Sequence, residues 1–230
     1  MNILGIDTST AVTSACVLRD TGETFELVPD PSRLDAKPAH ARETLPTVTG
    51  VLARAELRPD ELDAVAVGVG PGAFTGLRIG VATARALASA WSLALRPVSS
   101  LAALAAGAGD AGDEIVLAAI DARRGEVFAA LHRGREPRWP PFLVAPTELG
   151  EHIGRADVAP VAVGNGAVRF RGVLESAGAR VPADDSELHV VRALHVCLLA
   201  CDVSAVAPEA VVPDYLRGPD VAPATPSPAS

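Results

Sequence analysis

The sequence predicts an α/β protein of two lobes, each with a mixed sheet flanked by helices, and three observations carry that reading. First, the apolar run Ile3–Asp7 ends in an acid, turns through Thr8-Ser9-Thr10 and returns as an apolar run over 13–18. The same signature recurs in the second half, where 115–120 ends at Asp121, turns through Arg123-Arg124-Gly125 and returns over 126–131, which points to internal duplication. Second, 65–69 is an unbroken apolar run that feeds a glycine-rich turn and then a helix, the pattern of a strand covered on both faces. Third, 49% of the 230 residues are apolar, and a chain of that length suits two modest cores.

The remaining elements follow in order. Asp20-Thr21-Gly22 closes a second hairpin into 24–28, and 29–38 is a loop rich in Pro and Asp. Ala41, Leu45, Val48, Leu52 and Ala55 then recur at three- and four-residue steps, one apolar stripe of a helix. Pro46 lies inside it and is expected to break or kink the first turns, because it lacks an N–H and crowds the turn before it. The helix that follows 68–76 runs to about Trp91 and is apolar on more than one face, since from Ile79 only Thr83, Arg85 and Ser89 interrupt small or greasy residues. Gly76, Gly80, Ala84 and Ala88 fall on every fourth position, a row that lets another backbone approach closely. The expectation is a helix covered by its own sheet on one side and by a further surface on the other. A Pro-rich loop over 137–146, a short helix, a strand at Val161–Val163, a Gly164-Asn165-Gly166 turn, another helix and a long apolar helix around 188–200 complete the chain. The lobes are set at 1–105 and 106–218, with 219–230 a disordered tail of Pro, Ala and Ser.

Charge and cysteine usage exclude several classes of function. The net charge is −8 and Lys37 is the only lysine, whereas a protein that grips nucleic acid by its phosphates needs clustered cations. The closest grouping, Arg133, Arg135 and Arg138, reads as a solvated loop. If RNA is involved, another chain holds it. No run reaches the roughly 20 apolar residues of a membrane span, and the sequence enters a strand at once with no signal-like segment, so a cytoplasmic protein is expected. Three cysteines make no disulfide framework. Cys197 and Cys201 stand one helical turn apart with His195 nearby, but four ligands are wanting, and both are expected to be small buried hydrophobes.

Two motifs carry potential chemistry. The turn at Gly70-Pro71-Gly72-Ala73-Phe74-Thr75-Gly76 fits neither the dinucleotide pattern nor a P-loop, both of which need residues absent here. Asp7 with Thr8 and Ser9 is better placed, because an acid at a strand end before small hydroxyl residues can hold a hydrated Mg²⁺ and a phosphate; the bland alternative is an Asp that caps its own turn. Asp121 is its counterpart, yet Ala122-Arg123-Arg124 follows it where small residues would be wanted. Asp7, Thr8, Ser9 and Asp121 are therefore an incomplete, vestigial nucleotide site. The five histidines are scattered, and no nucleophile elbow exists.

Together Ile3-Leu4-Gly5-Ile6-Asp7-Thr8-Ser9, the run from Gly70 to Gly80, Asp121-Ala122-Arg123-Arg124-Gly125-Glu126-Val127-Phe128 and Pro213-Asp214-Tyr215-Leu216-Arg217 resemble the TsaB (YeaZ) family of tRNA threonylcarbamoyladenosine biosynthesis proteins. The resemblance implies an actin-like, sugar-kinase-like fold in a non-catalytic subunit. Such a subunit pairs with the catalytic TsaD, is joined by the ATPase TsaE, and supports transfer of a threonylcarbamoyl group to N6 of an adenosine beside the anticodon. ATP and metal are then expected on the partner subunits, with no cofactor on this chain. Ser100 and Leu104 stand where TsaD has its metal-binding His-x-x-x-His pair. The family's dimer surface maps to the helices around 40–55 and 76–90, giving Leu45, Val48, Leu52, Gly76, Leu77, Gly80, Val81, Ala84 and Leu87 as partner-binding residues, with a homodimer expected when the chain is alone. The competing readings are a small-molecule kinase of the same fold using Asp7, and a plain homodimeric scaffold.

Overall fold

The computed structural model describes residues 1–109, 114–156 and 158–217; the expected tail at 219–230 lies outside them. In chain order the elements are β1 (Ile3–Asp7), β2 (Ser14–Leu18), β3 (Thr24–Leu27), α1 (His40–Arg54), β4 (Ala64–Gly70), α2 (Phe74–Ala90), β5 (Ala94–Ser99), α3 (Ser100–Ala108), β6 (Ile115–Asp121), β7 (Val127–Arg133), β8 (Glu136–Val144), α4 (Pro146–Ala156), β9 (Val161–Val163), α5 (Asn165–Arg169), α6 (Arg171–Ser176) and α7 (Ala193–Ala200). The first sheet has the order β3-β2-β1-β4-β5 and the second β8-β7-β6-β9. In each, a three-stranded antiparallel meander is extended by a strand parallel to its first member, β4 beside β1 and β9 beside β6. The second sheet thus repeats the first less one strand, the duplicated arrangement of an actin-like, sugar-kinase-like fold.

Alternation along the strands sorts the side chains into layers. Leu4, Ile6, Val65 and Val67 face α1 and α2 in one core, while Ile3, Cys16, Ala66 and Val98 face the opposite way. That second face meets α3 and α7, and α3 also covers Val116, Ala118 and Ile120 of β6. Leu117 and Ala119 of β6 pack against the α4–α6 side. The molecule is therefore a stack of helices, sheet, helices, sheet, helices, with α3 and α7 in the middle. A helix in such a layer keeps little solvent face, which is why both are largely apolar, His195 apart. The expected lobe boundary at 105 falls inside α3, whose residues serve both sheets.

The inner layer requires close approach. A Cβ on Gly5 would lie 2.5 Å from the Cys197 Sγ, and one on Gly164, at φ +103, would lie 2.1 Å from the Ala119 carbonyl oxygen. The first two N–H groups of α7 are met by the first lobe: Ala193 N–H donates to Ser14 Oγ at 2.7 Å, and Leu194 N–H donates to Glu26 Oε1 at 3.2 Å. Arg192 holds the same carboxylate, its Nε 2.9 Å from Glu26 Oε2. At the other end Arg96 donates to the carbonyls of Ala200 and Val203, a cation on the negative end of the helix.

Several expectations are corrected. The Pro-rich stretch is β8, not a loop; it is the edge strand of its sheet, where a missing N–H costs no ladder bond. The apolar helix near 188–200 begins only at Ala193, because a 3-10 turn and extended residues carry the chain to it. Pro46 does not break α1. The buried positions of α1 are His40, Thr44, Val48, Val51 and Leu52, so the inward stripe runs beside the predicted one and leaves Ala41 and Leu45 exposed. Cys197 is buried, but Cys201 caps α7 and is exposed. Among the described residues no helix is long and apolar enough to cross a membrane.

Removing the guanidinium of Arg192 leaves the Glu26 carboxylate, whose side chain is 5% exposed, without its counter-charge. Arg192→Ala is expected to cost about 2–3 kcal/mol and to lower the melting temperature by roughly 5–10 °C for a chain of this size. An unchanged melting curve would show that α7 is not anchored through this pair.

Candidate functional site

The end of β1 and the turn after it form a buried polar cluster in the first lobe. Asp7 is 1% exposed. Its Oδ1 accepts from the Ser9 N–H at 2.8 Å and from Ser9 Oγ at 2.6 Å, and its Oδ2 accepts from Ser100 Oγ at 2.8 Å. Burial pushes the carboxyl above its ordinary range, against the pull of those three donors. Across from it a Cβ on Gly68 would fall 1.8 Å from Oδ2, so only glycine leaves room for the acid. Ser100 donates here to Asp7, and Leu104 is fully buried.

The glycine-rich turn and α2 close over the same turn. The Ala73 N–H donates to the Ser9 carbonyl at 2.7 Å, and Thr8 Oγ1 donates to the Gly76 carbonyl at 2.8 Å. Side chains at Gly76 and Gly80 would meet Thr8 O and Thr8 Oγ1, each at 2.1 Å. His40 joins from α1, with Nε2 2.9 Å from the Thr10 carbonyl and Nδ1 2.8 Å from Thr13 Oγ1. A carbonyl accepts only, so Nε2 carries the proton and the threonine hydroxyl donates to Nδ1. Thr8, Ser9 and Thr10 are all buried. Asp7 consequently takes the turn-capping role, and the row of small residues on α2 receives the chain's own turn rather than a foreign backbone.

Asp121 ends β6 in the equivalent place. Its N–H donates to Asn165 Oδ1, its Oδ1 accepts from the Arg123 N–H at 2.9 Å, and its Oδ2 is 3.2 Å from Arg123 Nη1 and 3.3 Å from Arg169 Nη1. The structure does not gather Asp7, Thr8, Ser9 and Asp121 around one space. A cleft of about 390 Å³ lies beside Asp121, with walls from Gly72–Phe74, Asp121–Arg124 and Asp214–Arg217; Asp7, Thr8 and Ser9 do not line it.

The third wall is a strap that the elements of the chain did not foretell. Val211 is buried in the outer core of the first lobe. Asp214 N–H then donates to the Val69 carbonyl at 2.7 Å, the Tyr215 ring lies 5.1 Å from that of Phe74, and the Tyr215 hydroxyl accepts from Arg78 Nε at 3.0 Å. Arg217 donates to the Ala122 carbonyl at 2.7 Å and pairs with Glu126. Residues 211–217 thereby join the glycine turn of one lobe to the Arg123-Arg124-Gly125 turn of the other.

Of the residues assigned to a partner surface, Val48, Leu52, Leu77, Val81 and Ala84 belong to the chain's own core, Gly76 and Gly80 are buried, and Leu87 is half-buried. Leu45 alone is well exposed, at 54%. What α1 and α2 present outward includes Ala41, Leu45 and Pro46 from the first helix and Ala82, Ala86 and Ala90 from the second, together with the polar Arg42, Thr49, Arg54, Thr75, Arg78 and Ser89. Periodicity finds a stripe, but nothing in the spacing says whether that stripe meets the chain's own sheet. Among the described residues no group of three or more His, Cys, Asp or Glu side chains is placed to hold a metal ion.

Comparison with known proteins gives consistent matches. The family model of the tRNA N6-adenosine threonylcarbamoyltransferase TsaD matches residues 33–136. The tRNA threonylcarbamoyladenosine biosynthesis protein TsaB of Escherichia coli K12 is 33% identical over 94% of this chain and 95% of its own length. An uncharacterized Mycobacterium leprae protein is 41% identical over 64% of this chain, which spans only 40% of that relative. The solved structure of YeaZ from Pseudomonas aeruginosa superposes with a TM-score of 0.75 at 28% identity, covering 94% of this chain and 99% of that one.

If Asp7 is a turn cap held at the cost of burying a charge, its ionised form is not needed for folding. A carboxyl raised in the folded state favours folding more as pH falls through its folded value, because the native protein then takes up the proton more readily. Asp7→Asn is therefore expected to melt at or above the wild-type temperature at pH 7, with the difference shrinking toward pH 4. A drop of several degrees at pH 7 would show that the carboxylate itself holds the turn.

Proposed function

The chain belongs to the TsaB (YeaZ) family of tRNA threonylcarbamoyladenosine biosynthesis proteins, and from that premise we propose that it serves this tRNA modification as a non-catalytic subunit. In this reading it binds a TsaD-type catalytic partner through the outer face of α1 and α2. The observation that carries the reading is that face itself: Ala41, Leu45 and Pro46 beside Ala82 and Ala86, all exposed. Short side chains lose little rotamer freedom on burial, and they let a partner helix come near.

Two further observations support it. The TsaD family model covers residues 33–136, a range that contains both helices, so a TsaD-type protein carries counterparts of them. Two related chains can then meet like to like across an approximate two-fold axis, the commonest way proteins pair; a second copy of this chain would use the same face when no partner is present. Asp7, the residue on which a kinase of this fold would depend, has both carboxylate oxygens engaged by Ser9 and Ser100. The net charge of −8 supports leaving the hold on tRNA to the partner; in this reading the ATP and metal of the reaction belong to TsaD-type and TsaE-type subunits, and the assembly works in the cytoplasm.

Leu45→Asp combined with Ala82→Asp is expected to weaken binding to a TsaD-type partner at least thirtyfold in calorimetry, about 2 kcal/mol as for a central interface residue, with the melting temperature held within about two degrees. Ala84→Asp, at a fully buried position, should instead unfold the chain. Undiminished binding by the double variant would remove the helix face from the interface, and turnover of Mg-ATP by the isolated chain would overturn the non-catalytic reading.

A further inference from the structure

We propose that the footprint of the TsaD-type partner does not end on α1 and α2 but continues onto the 211–217 strap, where Phe74, Arg78 and Tyr215 anchor it. The inference rests on the reading of the helix face as the partner surface, and it adds to that face a second element and a set of anchoring residues.

The outward row of α2 leads to the strap. Phe74, Arg78, Ala82, Ala86 and Ala90 follow one another at four-residue steps, and all five are exposed, so they form one continuous ridge along the helix. Ala82 and Ala86 belong to the face already assigned to the partner. At the head of the same ridge the Tyr215 ring lies 5.1 Å from that of Phe74, and its hydroxyl accepts from Arg78 Nε at 3.0 Å. Arg78 therefore belongs to both surfaces.

The size of a stable contact makes the extension necessary. An interface of standard size buries about 800 Å² on each partner, a patch of roughly 16 Å radius. Phe74 stands about 12 Å from Ala82 along the helix axis, so a patch of that size centred on Ala82 takes in the head of the ridge. Alanines alone give such a contact little to grip.

The strap supplies what the helices lack. Among the described residues the exposed large apolar side chains are Met1, Val28, Leu45, Phe74, Val212 and Tyr215. Three of these six, Phe74, Val212 and Tyr215, lie on the strap or against it, and Val212 is 64% exposed. Tyrosine and arginine are the residues on which binding energy concentrates at interfaces. Here they are also held in place beforehand, since the Arg78 guanidinium carbon sits 3.9 Å from the Phe74 ring centroid while Tyr215 takes its Nε. Little side-chain freedom is left to lose on association. One of the five guanidinium donors is used by the tyrosine, and the others suit a carboxylate on the partner.

Tyr215 is the only tyrosine of the chain, so nitration of its ring by tetranitromethane, read on its peptide by mass spectrometry, probes the strap in the unaltered protein. A saturating TsaD-type partner should slow that nitration at least fivefold. Arg78→Ala and Tyr215→Ala should each weaken partner binding at least tenfold in calorimetry, as anchors do, whereas Tyr215→Phe, which keeps the ring, should lose less than Tyr215→Ala. Full reactivity of Tyr215 in a complex that the Leu45→Asp, Ala82→Asp double variant abolishes overturns the extension and leaves the helix face standing. Undiminished binding by that double variant overturns the helix reading instead. Protection of Tyr215 in the chain alone, with none added by the partner, gives the strap to a second copy and overturns the assignment to the partner.

Discussion

Everything else in this fold is arranged around the layer formed by α3 and α7, which must satisfy two sheets at once. A helix covered on both sides cannot carry a polar stripe, and it can come close enough to both neighbours only where side chains vanish, as at Gly5 beneath Cys197 and at Gly164, which faces Ala119 and Leu104. The ends of α7 find their partners within the protein. Ser14 and Glu26 take the leading N–H groups of α7, and Arg96 takes its trailing carbonyls. All three come from the first lobe, although α7 arrives late in the chain. The return of α7 is thus what makes two structural repeats into one body.

The repeat was legible because it rests on local signals: a strand ending in an acid, a tight turn, and a return strand. These are fixed by alternation and turn chemistry within a few residues. The same reasoning misassigned β8, since Pro137, Pro140 and Pro141 look like punctuation unless the strand is known to be an edge. Edge position is a property of the finished sheet. Neither β5 nor α3 declared itself either, as Arg96 and Pro97 interrupt the former and nine mostly small residues make up the latter.

The site shows a similar division between what spacing encodes and what assembly decides. Gly76, Gly80, Ala84 and Ala88 do mark a close approach, and in that sense the reading was sound. The body that approaches at the two glycines is the Thr8 turn of the same chain, 68 residues away at the nearest hydrogen bond. The outward face of α1 and α2 carries, among exposed arginines and hydroxyl residues, several alanines and a leucine that amphipathic analysis treats as core candidates. Which small apolar residues end inside is decided by the finished packing, and the sequence alone has no label for it.

The two acids at the strand ends illustrate how a duplicated frame can diverge. Asp7 is enclosed by hydroxyls and glycine, with no charged partner among the described residues, whereas Asp121 is held by Arg123 and Arg169. The first arrangement leaves no approach to its carboxylate. The second opens onto a cleft, because arginines too long to fold inward stand at its wall and the strap closes over it from the first lobe. Since Asp214 and Arg217 bind the two opposing turns directly, the segment that walls the cleft is also the one that fixes one lobe against the other.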